Sequence, residues 1–174
     1  MVRAVFPGTF DPIHLGHIDI AYRATKLFDE VIIAVYDRPL KSLLFSPETR
    51  MELAQKSFNE NRKITVMGYS GLTVEFCRQV NAQVVVRGLR VFSDFEYEFR
   101  MALANHRLAP EIESVALITA EEHTFLSSST VREIGSLGGD VSSMVPRHVE
   151  NAMRARFLEL GDGQQIIPTT SLRD

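Results

Sequence analysis

A Rossmann-like α/β fold, built on a five-stranded parallel sheet flanked by helices, is what this sequence predicts. Short apolar runs alternate along the chain with segments of helical periodicity. Runs such as Val31-Ile32-Ile33-Ala34-Val35 are apolar at every position, which suits a parallel strand covered on both faces. The chain has 174 residues, 45% hydrophobic and 24% charged, which is enough for one core and one domain.

The elements follow in order. Val2 to Phe6 reads as the first strand, stopped by Pro7-Gly8, and Gly16 to Phe28 as a helix carrying Ile18, Ile20, Ala21, Ala24, Leu27 and Phe28 at helical spacing. The second strand is 31–35. Ser46-Pro47-Glu48 presents an N-cap, a proline at the first helical position and an acid in the first turn, so a helix runs from there to about Phe58. Ile64 to Met67 is the third strand, Leu72 to Val80 a helix, and Gln83 to Val86 the fourth strand. Residues 93–108 make a four-turn helix ahead of Pro110, and Val115 to Thr119 the fifth strand. Helices over 127–137 and 146–160 close a domain of residues 1–160, and the polar, Gly-rich stretch 161–174 reads as a loosely held tail.

Composition removes several function classes. Nineteen Lys and Arg against 22 Asp and Glu leave a net charge of -3, which gives no support to a nucleic-acid partner. The single cysteine, Cys77, forms no internal disulfide and rules out a Cys-rich zinc site. No apolar run approaches the roughly 20 residues that cross a bilayer, so no membrane is expected. The N-terminal segment lacks the pattern of a secretory signal, and the expected location is the cytoplasm.

In a parallel α/β sheet the ligand sits beyond the carboxyl ends of the strands. The loops that follow strands are therefore the candidates: 7–17, 37–45, 68–73, 87–98 and 120–129. The first reads Pro7-Gly8-Thr9-Phe10-Asp11-Pro12-Ile13-His14-Leu15-Gly16-His17 and leads into a helix, whose N-terminus favours phosphate. His14 and His17 share a face of the first turn. Neither common glycine-rich phosphate fingerprint is present, so a phosphate site must use His, Lys, Arg and hydroxyl groups. Lys41, Arg87 and Arg90 lie in later loops of this set. Ser127-Ser128-Ser129 combines helix capping with anion binding, and Arg132 falls on the side of Ser129. Asp94 has a sufficient role at its helix's dipole, whereas periodicity leaves the role of Glu98 open.

The segment Thr9 to His17 resembles the (His/Thr)-x-Gly-His signature of the nucleotidyltransferase superfamily, and Leu126 to Arg132 its Ser-Ser-Ser-x-x-Arg signature. Arg87-Gly88-Leu89-Arg90 and Asp94-Phe95-Glu96-Tyr97-Glu98 are similar to the bacterial phosphopantetheine adenylyltransferase family, and the likeness runs from about residue 3 to 158. The resemblance implies a Rossmann-like homohexamer that joins ATP to 4'-phosphopantetheine with Mg²⁺, giving 3'-dephospho-CoA and pyrophosphate in the penultimate step of coenzyme A synthesis. CoA is implied as a feedback inhibitor. It further implies His17 and Lys41 as catalytic residues, and Thr9, Lys41, Thr73 and Arg87 as phosphopantetheine contacts. ATP contacts are implied at Thr9, Phe10, His14, His17, Gly88, Leu89, Arg90, Glu98, His123, Thr124, Phe125, Leu126, Ser127, Ser128 and Ser129. No direct protein ligand to the metal is implied. His14 stands where several relatives have Thr, Thr73 replaces a larger apolar residue, and His123 replaces an aromatic one.

The chemistry suits these residue types. A phosphate monoester is already an anionic nucleophile, so no general base is needed, and catalysis reduces to positioning two anions and stabilising charge at the α-phosphorus. Two rivals remain on the residues alone: the same chemistry on a nicotinate or nicotinamide mononucleotide or a cytidylyl acceptor, and a nucleotide sensor without catalysis.

Overall fold

The computed structural model describes residues 1–37 and 42–161. The chain runs β1 (Arg3–Gly8), α1 (Leu15–Ala24), β2 (Glu30–Tyr36), α2 (Pro47–Phe58), β3 (Ile64–Tyr69), α3 (Thr73–Gln79), β4 (Val84–Leu89), α4 (Phe92–Leu108), β5 (Glu113–Ile118), α5 (Ser128–Ser136) and α6 (Arg147–Leu160). The five strands pair in parallel in the order β3-β2-β1-β4-β5. This is the expected Rossmann-like sheet. From residue 162 onward the proposed tail lies outside the described residues.

The apolar strands split their side chains between two cores. Ala4, Phe6, Val31, Ile33, Val35, Val84 and Val86 pack with residues of α1, α2, α5 and α6, including Ile20, Leu53, Val131 and Met153. Val5, Ile32, Ala34 and Val85 face Val74, Phe76 and Cys77 of α3 and Ile112 before β5. Burial of each large side chain contributes about 1.5–3 kcal/mol, so both faces need their covering helices. Ser46 caps α2 as expected, its Oγ accepting from Thr49 N at 3.3 Å, with Pro47 behind it.

The sequence predicts that Pro7-Gly8 ends the first strand, but β1 runs through both to Gly8. The register explains why. β1 stays paired with β2 as far as Gly8, whereas with β4 it pairs only at Ala4–Val84 and Val5–Val85. Pro7 O accepts from Arg87 Nη1, at 2.6 Å, so its carbonyl faces β4. In a strand the N–H and C=O of one residue point the same way, so the N–H that proline lacks belongs to the side where no ladder exists. Beyond Val5 the sheet is thus open between β1 and β4, and this is also where the strand order reverses direction.

Candidate active site

A cavity of about 780 Å³ lies over that opening, bounded by the loop after β1, the end of β4 and α4. That volume suits a small-molecule ligand. Gly8 and Phe10 shape its floor. Phe10 has a φ of 51°, and its buried ring lies edge-on to Phe6 at 5.6 Å and to His17 at 4.9 Å. A Cβ on Gly8 would stand 2.9 Å from the Phe10 ring, so only glycine leaves the ring its place.

α1 then begins with a reciprocal cap made by two histidines. His14 Nδ1 accepts from His17 N at 3.4 Å and His17 Nδ1 accepts from His14 N at 3.3 Å, with the rings stacked at 3.6 Å. With Nδ1 accepting, the proton of a neutral His17 ring belongs on Nε2. Burial lowers the His17 pKa from 6.5 to about 3, and the charges of Arg90 and Arg87 push it the same way. In the ligand-free site His17 is therefore a neutral ring with an N–H to donate. In the unfolded chain the ring takes up its proton near 6.5, in the folded one only near 3, so between those values the unfolded state binds more protons and stability falls as pH falls. Imidazole ¹⁵N shifts of the ligand-free protein are expected to report His17 neutral from pH 8 down to about pH 4; a midpoint above pH 5 would contradict this environment.

Two arginines at the end of β4 face the same space, each held by a carboxylate of α4. Arg87 meets Glu98 through Nε at 3.0 and 2.9 Å and through Nη2 at 2.7 Å. Arg90 meets Asp94 through Nε at 3.0 Å and Nη2 at 3.3 Å, while its Nη1 donates to Leu126 O at 2.7 Å. Tyr36, Tyr69 and Thr73 line the cavity too. The Tyr36 and Tyr69 rings lie 5.2 Å apart, and Tyr69 Oη and Thr73 Oγ1 are hydrogen-bonded at 3.0 Å.

Buried polar anchors hold the loop from behind. Asp11 accepts from Leu44 N at 2.8 Å and Phe45 N at 2.9 Å, and Arg132 Nη1 bonds its main-chain carbonyl and reaches its Oδ2 at 3.4 Å. Burial raises the Asp11 pKa from its ordinary value despite these donors and the charge of Arg132. Ser128 Oγ donates to Pro12 O at 2.8 Å. Arg50 is wholly buried, and its Nη1 donates to Thr9 O and Tyr36 O, both at 2.7 Å, tying the ends of β1 and β2 together.

The structure thus gathers Thr9, Phe10, His14, His17, Thr73, Arg87, Gly88, Leu89, Arg90, Glu98, His123 and Ser128 around one cavity. Lys41 lies outside the described residues. The rest of the 123–129 segment stands differently. Leu126 is buried in the core and presents only its carbonyl, to Arg90. Phe125 is 59% exposed and does not line the cavity. Thr124 Oγ1 donates to Ala120 O at 3.3 Å, and Ser127 Oγ caps α5 by accepting from Thr130 N at 3.0 Å. Ser129 Oγ accepts from Arg132 Nη2 at 3.3 Å. Arg132, expected on the side of Ser129, lines the cavity too, but it is almost fully buried and its Nη1 is committed to Asp11, because an ionised carboxyl without water needs a cation. The sequence reading did not assign Asp11, Tyr36, Arg50 or Tyr69 to the site. Position after strands was available for Tyr36 and Tyr69, but nothing local marks Arg50.

A model of the cytidylyltransferase-like family matches residues 5–134. Among curated relatives, the phosphopantetheine adenylyltransferase of Roseiflexus sp. (strain RS-1) is 51% identical over 157 residues, covering 90% of this chain and 98% of that protein. The protein of the same name from Thioalkalivibrio sulfidiphilus (strain HL-EbGR7) is 50% identical over 156 residues, 90% of this chain and 98% of its own. That of Desulfitobacterium hafniense (strain DSM 10664 / DCB-2) is 47% identical over 154 residues, 88% of this chain and 94% of its own.

Proposed function

The chain belongs to the cytidylyltransferase-like family and within it to the phosphopantetheine adenylyltransferases, and from that premise we propose how its residues transfer the adenylyl group of ATP to 4'-phosphopantetheine. The observation that carries the reading is the convergence of neutral His17 with Arg87 and Arg90 on one cavity. An oxygen of the acceptor's phosphate attacks the α-phosphorus in line. The new bond is acceptor oxygen to Pα, and the broken bond is Pα to the bridging oxygen that leaves with pyrophosphate. Thr9 and Arg87 hold the acceptor, Arg90 the triphosphate, and His17 Nε2–H donates to the α-phosphate oxygen on which charge gathers. Lys41 belongs to the same proposal through the family resemblance.

Mg²⁺ is part of the proposal. Of the cavity's four carboxylates, Asp94, Glu96 and Glu98 are each engaged by an arginine and Asp11 by Leu44 N, Phe45 N and Arg132, and no cluster of three or more His, Cys, Asp or Glu side chains suited to a metal occurs among the described residues. That donor set fits an ion carried by the substrate's phosphates and water, where it would neutralise the leaving pyrophosphate. We include a homohexameric assembly. α4 has no buried residue, and Phe92, Phe95, Phe99 and Leu103 make an exposed stripe along it. Feedback by CoA and a cytoplasmic location complete the proposal; no described helix is long and apolar enough to cross a membrane.

A coupled pyrophosphate-release assay tests the reading. ATP with 4'-phosphopantetheine is expected to give turnover, and ATP with nicotinate or nicotinamide mononucleotide none. ATP binding without turnover on any acceptor would turn the reading into that of a sensor.

A further inference from the structure

Four buried side-chain atoms among the described residues have no hydrogen-bond partner, and three of them belong to two residues at the end of β2: Asp37 Oδ1, Arg50 Nε and Arg50 Nη2. From this grouping we infer that Asp37 is a positioning residue for the acceptor. When 4'-phosphopantetheine fills the cavity, the Asp37 carboxylate takes the free edge of Arg50, and Arg50 in turn fixes Thr9 and Tyr36. The inference rests on the reading above and deepens it.

Counting donors carries the argument. A guanidinium has five N–H groups. Arg50 is wholly buried, and its Nη1 donates to Thr9 O and Tyr36 O. The three N–H groups that remain, on Nε and Nη2, include the side-by-side pair that matches a carboxylate. Tyr36 O belongs to the peptide group that carries Asp37 N, so Asp37 starts beside this guanidinium. Burial lowers the Arg50 pKa, and the charges of Asp11, Asp37 and Glu48 oppose that. Asp11 is committed to Leu44 N, Phe45 N and Arg132, and Glu48 is exposed in the first turn of α2. Of the three, only Asp37 keeps a buried oxygen without a partner. An unmet carboxylate oxygen and an unmet guanidinium edge both cost free energy when buried, and turning the Asp37 side chain onto Arg50 relieves both.

The fold places this pair on the acceptor side. Asp37 N donates to Tyr69 O at 3.0 Å, and Tyr36, Tyr69 and Thr73 line the cavity from the ends of β2 and β3 and the start of α3. Arg90, given to the triphosphate, follows β4 on the other side of β1 and is anchored on Asp94 and Leu126 O. A ligand lying over Thr9 and Tyr36 excludes water from the β2 end of the cavity, and the attraction between two buried charges grows as water leaves.

NMR titration of the intact ¹⁵N-labelled protein reads the event at Arg50 itself. On binding 4'-phosphopantetheine, the Arg50 Nε–H signal is expected to move downfield and its exchange with solvent to slow about tenfold. Both changes should vanish in Asp37→Ala and shrink in Asp37→Asn, and ATP alone should leave the wild-type signal in place. Kinetics should agree: the KM for 4'-phosphopantetheine rises about tenfold in Asp37→Ala and less in Asp37→Asn, with the KM for ATP within twofold of wild type. Acceptor binding with no response at Arg50 overturns the inference, as does an undiminished response in Asp37→Ala, because Asp37 is then not the partner. A response to ATP alone, or an equal rise in both KM values, overturns it as well, because the pair then does not serve the acceptor. An unchanged acceptor KM in Asp37→Ala reduces the pair to a structural role. Should Asp37→Ala fail to fold, the wild-type titration and Asp37→Asn still decide. A wild-type protein that binds no 4'-phosphopantetheine sinks the functional reading together with the inference, whereas binding without the Arg50 response sinks the inference alone.

Discussion

Replacing His17 by alanine is expected to lower kcat about 10²–10³-fold while the ATP dissociation constant moves by only a few fold. The asymmetry follows from the ring's state. A neutral N–H makes an ordinary hydrogen bond to a ground-state phosphate oxygen. That bond strengthens as the nucleophile arrives and negative charge builds on the oxygens around the α-phosphorus, so the loss falls mainly on the transition state. Burial and two neighbouring arginines keep the imidazole uncharged, and the reciprocal cap with His14 turns Nε2 away from the helix. Single-turnover rates beside equilibrium titration with ATP check this. Equal losses in binding and turnover would assign His17 to substrate binding alone.

Asp11→Ala is expected to destabilise the protein by about 3–5 kcal/mol. The substitution strands a buried guanidinium, Arg132, and removes the acceptor of Leu44 N and Phe45 N at once. At this chain length such a loss lowers Tm by about 10 °C, measurable by calorimetry. Pairing the change with Arg132→Met removes the stranded charge and should recover part of the stability, since a buried ion pair is worth far less than the cost of breaking it. A double variant no more stable than Asp11→Ala would mean that the ion pair is not what fails. Activity should fall in both, because Asp11 also fastens the loop that carries Thr9 and His14 to the chain ahead of α2.

Much of the fold was legible because its central strands have only one solution. Val31 to Val35 and Val84 to Val86 are apolar on both faces, and only a strand between two helix layers hides them. The edge strands were read less well. β5 begins at Glu113, two residues earlier than its apolar pattern, because Glu113 and Ser114 are exposed and the ladder with Val84 and Val85 orders them instead. β3 likewise continues past Met67 to Tyr69. In the site, position after strands pointed to His17, Arg87 and Arg90. It did not show that Arg87 meets Glu98, eleven residues away, because that pairing depends on how α4 lies beside β4. Arg50 was illegible for a related reason. It lies on the buried face of α2 with Leu53, Ala54 and Phe58, where an arginine has no local partner, and its burial follows from two carbonyls, Thr9 O and Tyr36 O, that meet only in the folded sheet.

The early parting of β1 from β4 leaves this protein as two panels joined by a short backbone seam, one made of β3, β2 and β1 and the other of β4 and β5. The cavity over the gap is lined from both panels, so a ligand filling it would add cross-ties that the main chain itself omits there. Heat tolerance is thereby expected to rise with occupancy of the cavity, the increment growing with ligand concentration above its dissociation constant.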